Sequence, residues 1–269
     1  VQQQPIGVVI LNTIIRGFAD GSEGTPDAIA YQRTGGKMDM KRFAVITGDI
    51  NASSRLGKLE VRHLEKTLRE SFRDMAENLP DLEAAHFTCF RGDSWQFVTG
   101  DAANAARAAV YFRASLLVRS YGEFGKRLDS AVAIGFGSVD FFPDDESTAG
   151  GGEAYELSGK CLDNIRKRIP GMSASGLGFH DPGISAVLGL TDALIRHWTS
   201  PQARAVCFAM QGFTQELIAA KWVPEAISQQ GVHKHLKNAG WPAVEPALDW
   251  IATTIKGCIL ENNLEKCVP

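Results

Sequence analysis

The chain has 269 residues, and 28 Lys and Arg against 31 Asp and Glu give a formal net charge of -3. No global field therefore draws it to nucleic acid or an anionic membrane, and any basic surface must be local. An apolar fraction of 44% with 22% charged residues excludes overall disorder, and the length suits two modest domains, each with its own core.

Five cysteines (Cys89, Cys161, Cys207, Cys258 and Cys267) are odd in number, far apart and without a CxxC pair. That excludes a disulfide frame or zinc site and points to the reduced cytoplasm. The longest apolar run, Ile6 to Ile15, is ten residues long. It is too short to cross a bilayer core of about 30 Å, so no membrane partner is expected. The preceding Val1-Gln-Gln-Gln lacks Lys and Arg, which argues against a signal peptide.

Arg16 to Met38 is glycine-rich without a sustained period, so residues 1–39 read as an extension outside the core. Arg42 to Thr47 is a short β-rich run that ends in a loop at Gly48-Asp49. Leu56 to Leu79 places Leu64, Leu68, Phe72 and Met75 at helical spacing, and Pro80 closes that helix. Ala85 to Phe90 and Trp95 to Thr99 flank Arg91-Gly-Asp-Ser94, predicting a hairpin with Asp93 at its tip.

Asp101 caps an Ala-rich helix to about Tyr121, Ala131 to Val139 is another strand, and a helix runs from Glu153 to about Arg168. After a short piece at Ser173 to Phe179 the chain becomes helical from Ile184 to about Glu261. The order strand, helix, strand, strand, helix, strand is the split βαβ pattern. The expectation is an α+β chain: a ferredoxin-like (βαββαβ) palm over residues 40–182, followed by an all-α domain over 183–269.

In that topology the strands carrying Asp49 and Asp93 are neighbours. Mg²⁺ takes oxygen ligands, commonly one or two carboxylates with phosphate and water, so the pair suffices as a metal site and could hold two ions. Asn51, Ser53, Ser54 and Arg55 follow Asp49 at a helix start, where backbone N–H groups can bind a triphosphate. The structural alternative is a helix cap at Asp49 and a plain turn at Asp93.

Thr47-Gly-Asp-Ile50 and Arg91-Gly-Asp-Ser94 resemble the two acidic positions of the nucleotidyl cyclase superfamily. Phe43 to Ile50, followed by Ser53-Ser-Arg55, more closely resembles the SatD family of bacterial proteins, over about residues 40 to 262. The resemblance implies a palm domain, a nucleoside triphosphate or cyclic nucleotide as ligand, Mg or Mn as cofactor, a site completed across a homodimer, and a carboxy-terminal helix-turn-helix. Gly152 to Lys160 resembles the cyclase helix that carries Asn and, four residues on, Arg. On that register those positions are Glu156 and Lys160. The same pair is equally an i,i+4 salt bridge, and Lys lacks the bidentate fork of Arg.

In the carboxy-terminal part, Thr214 and Ser228 read as caps of two short helices, with Ile218, Ala219, Val232 and Leu236 turned inward. Gln229, Gln230, His233, Lys234 and Lys237 then face outward, the residue types used against DNA. The alternative is a packing bundle with those residues solvated, and the turn Trp222 to Ala226 is long for the motif. Trp198, Trp222, Trp241 and Trp250 are expected to pack these helices.

Two functions follow. One is an enzyme that cyclises or transfers a nucleotide and releases pyrophosphate, with Lys160 assisting. The other is a regulator that binds a nucleotide without turnover and relays it to DNA contacts.

Overall fold

In a computed structural model, the described residues are 42–51, 57–90, 92–143, 150–167 and 171–265, without the side chains of 58–59 and 261–265. The extension 1–39 and the loop residues Ser53, Ser54 and Arg55 lie outside them.

Strands β1 (Phe43–Ile50), β2 (Ala84–Phe90), β3 (Ser94–Thr99), β4 (Ser130–Gly137) and β5 (Met172–Ser175) form one sheet in the order β2-β3-β1-β4-β5. Helix α1 (Lys58–Asn78) links β1 to β2, and α2 (Ala105–Phe124) links β3 to β4. β1 is antiparallel to both neighbours, β3 and β4. Through β4 this is the split βαβ arrangement expected from the sequence, within a mixed α+β fold.

Beyond β4 the sheet gains a strand. Helix α3 (Glu153–Arg166) returns the chain so that β5 pairs parallel to β4. The segment Met-Ser-Ala-Ser alternates buried and half-buried positions but spans only four residues, which leaves its strand signal in the sequence weak.

β1 is buried on both faces, as its β-branched run suits. Ala44, Ile46 and Ile50 join the main core with Leu64 and Leu68 of α1 and Phe112 of α2, while Val45 packs with Ala154 and Tyr155 of α3. Gly48 is required by this packing. A Cβ there would lie 2.1 Å from the Trp95 ring, so only glycine lets the indole cross β1.

The helices that follow are α4 (Asp181–Ile195), α5 (Ser200–Met210), α6 (Gln215–Ala220), α7 (Gln229–Asn238) and α8 (Trp241–Glu265). Met40–Pro269 is one compact unit, whose core runs from Ile46 and Trp95 through α2 to Val206, Trp198 and Val244. The expected boundary at residue 182 falls in the first turn of α4. Trp198 and Trp241 are buried as expected, whereas Trp250 is 48% exposed because it lies on the outer side of α8.

A buried ion cluster ties α2 to β4 and α4. Arg113 Nε and Nη2 donate to the two oxygens of Asp129 at 2.9 Å each, and Nη1 donates to Asp192 Oδ1 at 2.8 Å. Arg127 adds a second cation to Asp129 at 2.9 Å. Burial opposes both charges, yet the mutual attraction holds the Asp129 carboxyl below its ordinary range and the Arg113 guanidinium above.

Candidate functional site

Asp49 is the penultimate residue of β1, directly opposite Ser94 of β3 and Ala131 of β4. It follows Val45 and Thr47 on the sheet face covered by α3, where Thr47 Oγ1 donates to Ser158 Oγ at 2.8 Å. The alternation that buries Ile46 and Ile50 on the other face therefore aims Asp49 toward the carboxyl end of α3.

Asp93 occupies the β2–β3 turn, after Gly92, whose φ of 84° suits the turn. The Ile50 N–H donates to the Asp93 carbonyl at 3.0 Å, so the backbones of the two acidic segments are bonded directly. Asp49 Oδ1 accepts from Ser94 Oγ at 2.7 Å and pairs with Arg166 Nη2 at 2.6 Å. Arg166 Nη2 also donates to Ser94 Oγ at 3.3 Å. Asp49 Oδ2 has no partner among the described residues.

The backbone beneath this pair is pinned. Ser130 Oγ donates to the Asp49 carbonyl at 2.9 Å and accepts from Trp95 Nε1 at 3.0 Å. The Asn51 N–H donates to the Asp129 carbonyl at 2.8 Å, so the residue following β1 rests on the Arg113 cluster. Asn51 thus starts beside Asp49 and is half-buried.

Arg166 and Ser94 are absent from the sequence-derived set. A basic residue in the last turn of a helix is an ordinary dipole partner, so the sequence signal existed, but its reach to Asp49 depends on α3 crossing the sheet. Cys89, near the hairpin, is no nucleophile at neutral pH: burial first, then Glu65, push its thiol up to about 11.

Glu156 and Lys160 lie elsewhere. They pair with each other at 3.0 Å, and their side chains are 69% and 70% exposed. Lys160 borders a cavity shared with β5 and α4, with β4 standing between that strand and the β1 of Asp49. Within one chain they are not brought to the Asp49–Asp93 pair.

The α7 residues are placed as follows. Thr214 and Ser228 cap α6 and α7 by accepting from Leu217 N–H and Gly231 N–H. Ile218, Ala219, Val232 and Leu236 are buried, and Gln229, Gln230, His233, Lys234 and Lys237 are exposed. Gln229 Nε2 is bonded to Glu216 Oε1 at 2.6 Å, linking the two helices. Residues 221–228 connect them, a longer path than the usual turn of about three or four residues.

Among the described residues no group of three or more His, Cys, Asp or Glu is placed to hold a metal. Asp49 Oδ2 is an oxygen of the kind a hard cation takes together with phosphate and water, and Asp93 stands on the adjoining backbone segment. No helix among the described residues is long and apolar enough to cross a membrane.

No family model matches the chain, and no curated protein matches it. Among solved structures, the chain is similar to the guanylyl cyclase Cya2, with TM-score 0.35 and 20% identity over 46% of this chain and 70% of that one. It is also similar to a bacterial light-regulated adenylyl cyclase, with TM-score 0.33 and 12% identity over 50% of this chain and 75% of that one. At these values neither likeness carries a function to this chain.

Proposed function

We propose that the chain is a SatD-type protein whose palm binds a nucleoside triphosphate with Mg or Mn at Asp49 and Asp93, and acts as a nucleotidyl cyclase or nucleotidyltransferase. The observation that carries this is the hydrogen bond from Ile50 N–H to the Asp93 carbonyl, which places two acids 44 positions apart in sequence (93 minus 49) on bonded backbone segments. The sequence resemblance at Thr47 to Ile50 and Arg91 to Ser94 supplies the ligand class.

In this reading Asp49 and Asp93 would hold the metal, which when bound would neutralise charge at the phosphates and lower the pKa of an attacking hydroxyl. That hydroxyl forms a bond to the α-phosphorus, its proton passes to solvent, and the bond to pyrophosphate breaks. Arg166, 42% exposed, leaves Asp49 and presents its guanidinium to the phosphates, for which its bidentate fork is suited. Ser94 holds the orientation of the Asp49 carboxylate. Asn51, Ser53, Ser54 and Arg55 bind the triphosphate. Glu156 and Lys160 enter only from a second copy, because in their own chain Lys160 borders the β5 and α4 side of α3 while Arg166 is the α3 residue that reaches Asp49.

A second reading is a nucleotide-sensing regulator in which α6 and α7 act as a helix-turn-helix. The observation favouring it is that Gln229, Gln230, His233, Lys234 and Lys237 are all exposed on one short helix anchored by Val232 and Leu236.

Incubation with each of the four ribonucleoside triphosphates and Mn²⁺, analysed for pyrophosphate and nucleotide products, separates the readings. Turnover lost in Asp49→Ala and Asp93→Ala supports the enzyme, whereas turnover that persists in both removes the metal mechanism. Nucleotide-dependent melting shifts without product support the regulator, and a DNA affinity indifferent to nucleotide counts against it.

A further inference from the structure

A cavity of about 640 Å³ lies between α3, the edge strand β5 and α4, apart from the acidic pair. Its size falls in the usual range for small-ligand sites, about 300–1,000 Å³. Leu157, Ile165 and Met172 give it apolar wall, and Lys160, Asn164 and Arg196 bring hydrogen-bond donors to it.

The acids in the lining are already engaged. Asp181 accepts from Gly176 N–H at 3.1 Å and Leu177 N–H at 2.8 Å. Asp192 Oδ1 accepts from buried Arg113, while Oδ2 accepts no hydrogen bond among the described residues and is engaged as an ion pair with Arg196 at 2.5 Å. Arg196 is 38% exposed, and its other N–H donors have no partner among the described residues. The Asn164 amide likewise has none. The uncommitted polar capacity is thus dominated by donors, and the charges able to turn inward are cationic.

Gly189 marks the same space. It sits mid-helix in α4, where glycine is unfavourable, yet a Cβ there would meet nothing within 4 Å. Packing among the described residues does not call for a glycine. A ligand filling the cavity would.

We infer that the α3–β5–α4 cavity binds a small amphipathic anion, its apolar body against Leu157, Ile165 and Met172 and its phosphate or carboxylate head on Arg196 and Asn164. Arg196 keeps Asp192 as a partner while offering its remaining donors to the head group. Gly189 leaves room for the body. The inference is independent of catalysis at Asp49.

Calorimetric titration of the full chain with phenyl phosphate and with benzoate distinguishes the two head groups, and benzyl alcohol serves as the uncharged control. At least one anion is expected to bind saturably in the low millimolar range or tighter, while the alcohol does not. Gly189→Leu, which fills the cavity, is expected to weaken that binding by about tenfold or more with a Tm no lower than wild type. Arg196→Gln is expected to weaken it as well, so the inference does not hang on one variant. Saturable binding of neither anion, equal binding of the alcohol, or undiminished binding in both variants overturns it.

Discussion

Arg166 Nη2 lies 2.6 Å from Asp49 Oδ1, so the last turn of α3 closes over the end of β1 and neutralises the acid on which the site depends. The pair is partly exposed, at 42% and 24% of the two side chains, which keeps the contact weak and reversible. A cation arriving at Asp49 competes with this guanidinium.

Arg166→Gln is therefore expected to tighten Mn²⁺ binding measured without nucleotide. An exposed ion pair contributes at most about 1 kcal/mol, so the gain is about fivefold or less. With nucleotide present the same change weakens triphosphate binding, because the phosphates lose a bidentate partner. Electron paramagnetic resonance of free Mn²⁺ in the two conditions reads both effects, and a change of the same sign in both contradicts the proposed exchange of partners.

Gly48→Ala tests the framework under Asp49. The added Cβ would fall 2.1 Å from Trp95, whose Nε1 is committed to Ser130, so the indole has no low-energy retreat. Overpacking of this kind costs about 1–3 kcal/mol, expected as a lower urea midpoint at unchanged slope.

Arg113→Leu leaves Asp192 and Asp129 buried with reduced partnership, and breaking a buried pair in this way costs about 3–5 kcal/mol. The pH dependence carries the sign. In the wild type the Asp129 carboxyl is held below its unfolded value, so this stabilisation is fully present above about pH 4 and is lost as pH falls through the folded value. In the variant, burial pushes the carboxyl up with only Arg127 opposing it, so stability is lost instead as pH rises above about 4. The difference between the two proteins, measured by urea unfolding from pH 3 to 7, is expected to narrow in acid.

For the regulator reading, Lys234→Ala is expected to weaken DNA binding uniformly across sequences and to lower the salt slope by about one unit. Fluorescence anisotropy at several salt concentrations measures this. A sequence-selective loss with an unchanged slope assigns Lys234 to base contact rather than phosphate contact.

The first four strands are legible in the sequence because Arg42 to Thr47, the two halves of the hairpin and Ala131 to Val139 carry short apolar runs, although β1 continues through Gly48-Asp49 to Ile50 where the sequence suggests a loop. Once their order is fixed, the register Asp49 opposite Ser94 makes the neighbourhood of Asp49 and Asp93 a geometric consequence. Strand β5 is not legible, since Met172 to Ser175 alternates apolar and polar residues over only four positions, too few to set it apart from a loop. Nor is the pairing of Arg166 with Asp49. Residues 156 and 160 share a helix with Arg166, and only the angle at which α3 lies on the sheet decides which side of that helix meets β1 and which meets β5. Such crossing geometry is set by packing of Ala154, Ser158 and Leu162 against the strands, which no spacing rule encodes.

The central claim is that Asp49 and Asp93 make one metal-dependent nucleotide site. Equilibrium binding of a non-hydrolysable nucleoside triphosphate in Mn²⁺, measured for Asp49→Asn, Asp93→Asn and the double variant, tests it without requiring turnover. The account predicts a loss of about tenfold or more in each single variant, and a double variant no weaker than the worse single, since residues sharing one ion are not additive. Binding undiminished in either single variant, or losses that simply add, would contradict it.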